Sequence, residues 1–213
     1  MKPLDLGRRL RLIVITDERL ARPSGLQAVV QQALKAGAPA IQLRAKNATA
    51  REVAGMARAF LPMVRSAGAL FFVNDRLDVA LTVGADGVHL GPDDPPVREV
   101  RSAVPRDFIV GYSTDDPDQA VRAQADGADY LGTGAVYATT SKADPGDVIG
   151  LTGLRRVVER VSIPVVGIGG ITPARAVEVA EVGARGVAAI GAVMSAPDPA
   201  QAVRALLQPF GGP

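Results

Sequence analysis

The 213 residues carry 24 Lys and Arg against 22 Asp and Glu, a formal net charge of +2, with no block of like charge to favour a nucleic-acid partner. Cysteine is absent, which excludes a disulfide framework and any thiolate metal site. Apolar residues make up 47% and aromatic ones 4%, a Val/Ile/Leu/Ala core with no run long enough to span a membrane, so the expectation is one cytoplasmic domain over residues 1–213, without a signal peptide.

LRLIVIT at 10–16 reads as the first strand and AIQLR at 40–44 as the second, each apolar and bounded by turn residues. Thr49 and Glu52 form a capping box for a helix carrying Val53, Met56, Ala57, Phe60 and Val64 at helical spacing, which Pro62 is expected to kink or divide. Further strands follow as LFFVN at 70–74, GVHL at 87–90, FIVGYS at 108–113, YLGTGAV at 130–136, PVVGIG at 164–169 and GVAAIG at 186–191. Asp116-Pro117, Thr172-Pro173 and Asp198-Pro199 each set a capping side chain before a proline at the first helical position. GAPA, GADG, GADY and GARG precede strands two, four, six and eight and predict a recurring helix-to-strand turn whose Gly takes a positive φ. Eight strand-then-helix units predict an α/β fold, a single (β/α)8 TIM barrel. A doubly wound sheet is the alternative, but no GxGxxG follows the first strand.

The active site of such a barrel gathers at the C-terminal ends of its strands. Gln42, Arg44 and Lys46 alternate along the end of strand two and share a face, where two cations and an amide suit a diphosphate. A solvated rim of charge is the bland alternative. Asp75 follows strand three and Asp94 follows strand four; two carboxylates near those cations suit Mg²⁺, while each also stands near enough to a helix start to be its cap. Asp93 competes with Asp94 for the ligand role. Ser113, at the end of strand five, is placed either to bond a ligand or to cap the next helix. The stretch at 138–150 is the longest non-periodic connection and offers Thr139, Thr140, Ser141 and Lys142, a set that suits either a phosphate-binding loop or an inert one. Gly167, Gly169 and Gly170 after strand seven and Gly191 after strand eight expose backbone N–H groups at the habitual phosphate site of this barrel. Two separate anion sites suggest an enzyme joining two phosphorylated small molecules. His89, the only histidine, lies within strand four and reads as structural, with no nucleophile beside it in the sequence.

QLRAK at 42–46, VNDRLDVAL at 73–81, GADGVHLGPDD at 84–94, GYS at 111–113, GADYLGTGAVYATTSK at 127–142, PVVGIGGI at 164–171 and the VAAIGAV of strand eight resemble the thiamine-phosphate synthase family, in order over about residues 12–195. The resemblance implies that an aminopyrimidine diphosphate is held by Gln42, Leu43, Arg44, Ala45, Lys46, Asn74, Ser113 and Lys142. It places Mg²⁺ on Asp75 and Asp94. The phosphate of a thiazole substrate falls to Thr139, Ser141, Gly170, Ile190 and Gly191. Arg44, Lys46 and Lys142 become the catalytic cations that stabilise departing pyrophosphate, with departure preceding attack by the thiazole nitrogen. Three positions depart from the family pattern: Ser141 replaces a Thr, Ala138 a Pro and Gly191 a Ser. The rival readings are a thiazole tautomerase or regulatory relative, which need not keep the diphosphate and Mg²⁺ set, and a non-catalytic sensor of phosphorylated ligands. A homo-oligomer is compatible with the sequence, which does not specify one.

Overall fold

The computed structural model describes residues 3–21, 25–141 and 146–212. Helix α1 (Pro3–Arg9) precedes β1 (Leu12–Ile15), α2 (Leu26–Lys35), β2 (Ala40–Leu43), α3 (Ala50–Ser66), β3 (Leu70–Asn74), α4 (Leu77–Val83) and β4 (Gly87–Leu90). The second half runs α5 (Val97–Ala103), β5 (Ile109–Ser113), α6 (Pro117–Ala125), β6 (Tyr130–Thr133), α7 (Gly150–Val158), β7 (Val165–Ile168), α8 (Pro173–Glu181), β8 (Gly186–Ala189), the short α9 (Gly191–Met194) and α10 (Pro199–Leu207). Each strand pairs in parallel with the next and β8 returns to β1, closing the barrel predicted from the sequence.

The strands are apolar on both faces because one face fills the barrel and the other packs under the helices. Val14, Ile41, Phe71, Val88, Leu131 and Val187 are all buried, and burying each such side chain stabilises the fold by about 1.5–3 kcal/mol. The expected turn glycines take positive φ, from 70° at Gly84 to 99° at Gly127. In the two GAD turns the aspartate also caps a neighbouring strand: Asp86 accepts the N–H of Phe71 and Asp129 that of Val110, both at 2.8 Å. The Thr49–Glu52 capping box and the caps from Asp116, Thr172 and Asp198 form as read.

Most strands are slightly shorter than the apolar runs that predicted them, and two departures matter more. Helix α3 runs undivided through Pro62. The sixth apolar run was expected to be strand to residue 136, yet β6 ends at Thr133. Ala135 and Val136 are buried in the following connection, where the Val136 N–H donates to the Ile168 carbonyl at 2.8 Å. Their hydrophobicity reports burial against β7 rather than membership of the sheet.

Candidate active site

Two hollows open at the C-terminal ends of the strands and share Gly134, Ile168 and Ala188 in their walls. The first, about 370 Å³, is lined by Gln42, Arg44, Lys46, Asn74, Asp75 and Ser113 from β2, β3, β5 and the turns beyond them. Gln42, Arg44 and Lys46 all line it, as expected, but only Gln42 stands in β2; Arg44 and Lys46 follow in the connection beyond the strand. Leu43 and Ala45 do not line the hollow; Leu43 is buried in the core.

Arg44 is fixed through its backbone: its N–H donates to Thr16 Oγ1 at 2.9 Å. Its half-buried guanidinium has no side-chain partner among the described residues. Lys46 Nζ lies 3.6 Å from Asp75 Oδ2. Asp75 has φ 63°, the sole positive φ among the described non-glycine residues. That left-handed conformation costs most residues about 1 kcal/mol or more and is easiest for Asp and Asn. It sets the carboxylate off the end of β3, close enough to Asp94 to act on that residue's charge. Burial, with Asp75 beside it, pushes the Asp94 carboxyl above its ordinary pKa, while the Gly91 N–H donated to Asp94 Oδ2 at 2.7 Å opposes the rise.

Neither aspartate caps a helix. The residue before α4 is Arg76 and that before α5 is Pro96, and neither helix start has a side-chain cap. Exposed Asp93 lines the hollow, but half-buried Asp94 is the residue that faces Asp75. Two adjacent carboxylates, one disfavoured as an anion, fit a divalent cation that would also take oxygens from a phosphorylated ligand. Among the described residues no group of three or more His, Cys, Asp or Glu side chains forms a closed metal cage.

Behind the charges lies a partly buried polar chain that the sequence reading did not assemble. His89 Nε2 is 2.8 Å from Ser113 Oγ and His89 Nδ1 is 2.9 Å from the Tyr130 hydroxyl, with the buried Gln42 side chain close to that hydroxyl. Ser113 thus faces His89, and the cap of α6 is Asp116. Burial pushes the Tyr130 phenol well above its ordinary pKa, so it remains a neutral O–H. The neighbouring strands leave room for these rings by carrying glycine. A β-carbon on Gly111 would fall 2.3 Å from the Tyr130 ring and 2.6 Å from His89 Nδ1, and one on Gly132 3.1 Å from His89 Cε1.

The second hollow, about 570 Å³, collects Thr139, Ser141, Gly170, Ile190 and Gly191. Its floor is close-packed backbone: Gly170 has φ 63°, and a β-carbon there would lie 2.6 Å from the Ala138 carbonyl. The Ser141 N–H donates to Thr139 Oγ1 at 3.2 Å, folding the start of the long connection over the hollow. Arg175 of α8, which the sequence reading did not single out, also reaches in. It stacks 4.5 Å from the centre of the Tyr137 ring and donates to the Gly170 carbonyl at 2.8 Å. Burial, then the hydrogen bond to Glu178, raises the Tyr137 phenol to about 12, leaving it a neutral donor to Glu178 Oε2 at 2.7 Å. Lys142, expected beside Ser141, lies outside the described residues. No helix among the described residues is long and apolar enough to cross a membrane.

Comparison with known proteins gives this geometry a family. A family model described as thiamine monophosphate synthase matches residues 12–193. The thiamine-phosphate synthase of Roseiflexus castenholzii is 48% identical over 204 residues, covering 96% of this chain and 89% of that protein. That of Moorella thermoacetica is 47% identical over 195 residues, covering 92% and 93%. The solved thiamine phosphate pyrophosphorylase of Pyrococcus furiosus superposes with a TM-score of 0.88 at 45% identity, covering 97% of this chain and 100% of that one. On these matches, the chain belongs to the thiamine monophosphate synthase family.

Proposed function

We propose that this chain is a transferase that joins an aminopyrimidine bearing a diphosphooxymethyl group to a thiazole phosphate, giving thiamine phosphate and pyrophosphate. One observation carries the reading. The hollow holding Arg44, Lys46 and Asp75, with Asp94 against Asp75, shares a wall with the glycine-rich hollow of β7 and β8. A substrate in each would bring a leaving group and a nucleophile together.

In this reading Arg44 and Lys46 bind the diphosphate and stabilise the negative charge that grows on it as its bond to the methylene carbon breaks. Asp75 and Asp94 would hold Mg²⁺, which when bound neutralises phosphate charge beside those cations. Gln42 and Ser113 orient the pyrimidine ring, each fixed from behind through Tyr130 and His89. The thiazole nitrogen attacks with its own lone pair, so the step requires no base at that atom. Charged substrates of this kind do not cross a bilayer unaided, which suits work in the cytoplasm. The test is to mix the purified protein with both substrates and Mg²⁺ and to seek thiamine phosphate by mass spectrometry together with pyrophosphate release. Binding of both substrates without either product would sink the reading in favour of a sensor.

The polar chain gives a separate expectation. His89→Phe removes both bonds of the imidazole, and kcat/KM for the pyrimidine diphosphate should fall about tenfold, the worth of one well-placed hydrogen bond. Ser113→Ala should cost a similar factor, and the double variant little more, since both act through one contact. Losses that simply multiply in the double variant would show that His89 does not work through Ser113.

A further inference from the structure

We infer that Arg175 binds the phosphate of the thiazole substrate as the charged partner of the second hollow; the inference rests on the function proposed above. A phosphate monoester carries about −1.5 to −2 charges at pH 7 and favours sites where that charge is answered. Among the described residues lining this hollow, the side chains of Thr139, Thr140, Ser141, Thr172 and Ser195 are neutral, and Arg175 alone is charged. The hydroxyls are partly engaged elsewhere. Ser195 Oγ donates to the Gly191 carbonyl at 2.7 Å, and Thr139 Oγ1 accepts the Ser141 N–H at 3.2 Å. Gly191 brings no side chain.

Arg175 is half-buried and held on two sides, by the face of Tyr137 and by the Gly170 carbonyl. The bond to Gly170 occupies one N–H of a group that has five. A guanidinium fixed in this way loses little rotamer freedom on binding and keeps donors for a phosphate resting on the glycine backbone of the same loop. Its placement in the first turn of α8 follows from Thr172, whose hydroxyl accepts the Arg175 N–H at 3.3 Å and fixes where the helix begins.

The test compares Arg175→Gln and Arg175→Lys with the unaltered chain, measuring KM for each substrate with the other saturating and melting temperature alongside. Arg175→Gln should raise KM for the thiazole phosphate about 10- to 100-fold, the range of a charged hydrogen bond, while KM for the pyrimidine diphosphate stays within about twofold. Arg175→Lys keeps the charge and should recover most of the loss. An unchanged KM for the thiazole phosphate overturns the inference. So does a parallel rise in both KM values with early melting, or a Lys variant as poor as Gln, because each marks the Gly170 and Tyr137 contacts as purely structural. If the unaltered chain makes no thiamine phosphate, the function proposed above fails first, and the two failures are distinct.

Discussion

Replacing Arg44 with methionine should lower kcat/KM for pyrophosphate release by about 10²- to 10³-fold while leaving the melting temperature little changed. The two readouts separate because of how Arg44 is held. Its backbone, fixed by Thr16 Oγ1, keeps its place in the variant, and the methionine chain retains much of the apolar stem. The guanidinium makes no described side-chain bond and lines the same hollow as Lys46. Deleting it therefore breaks no side-chain bond of the folded protein and removes a cation that faces both Lys46 and the carboxylates of the same hollow, effects that oppose one another. Removing one stabiliser of a charge that develops in the transition state costs about 10²–10³ in rate. Arg44→Lys should recover part of the loss, since a point charge replaces a planar fork. Turnover within threefold of the unaltered chain would take Arg44 out of the chemistry and leave it as rim charge.

Asp75→Asn should raise the Mg²⁺ concentration for half-maximal activity at least about tenfold, equal to about 1.4 kcal/mol of lost binding. Asparagine is the informative replacement because it tolerates the left-handed backbone at φ 63°, whereas alanine would add strain of its own. In the metal-free protein the same change relieves the burden on Asp94, whose carboxyl is raised by burial and then by Asp75, but it also discharges the 3.6 Å pair with Lys46. That pair is exposed on the lysine side and contributes about 0–1 kcal/mol, so metal-free melting should change little. An Mg²⁺ titration superimposable on that of the unaltered chain would remove Asp75 from the metal site.

The barrel was legible in the sequence because its signals are local. Strand runs, proline-marked helix starts and GAD turns each lie within a few residues, and the structure returns them with small boundary shifts, that of β6 among them. The rim residues were legible for a related reason: Gln42, Arg44 and Lys46 stand where the second apolar run ends, and that end alone marks them as rim residues, although β2 stops at Leu43 and two of the three lie past it. The polar chain behind them was not. His89 meets Ser113 and Tyr130 across 24 and 41 residues, and nothing near it in the sequence marks those partners. Gly111 and Gly132 were the available signal, since paired glycines inside buried strands imply that a large side chain occupies their space. Arg175 was hidden differently. It lies in an amphipathic helix where arginine is ordinary, and only folding brings that turn beside Gly170. The choice between caps and ligands at Asp75 and Asp94 likewise needed the helix starts to be located within one residue, finer than periodicity resolves.

Gly134 stands where the two hollows meet, and a β-carbon there would fall 2.0 Å from the Ile168 carbonyl oxygen. Of the three residues in the shared wall, Gly134 therefore contributes main chain alone, beside Ile168 and Ala188. Side chains hop among rotamers, but a peptide wall of a closed barrel has no such freedom. On the function proposed above, the separation at which two substrates would meet is thus set in part by the scaffold itself, and remodelling side chains deeper in either chamber would leave that part untouched.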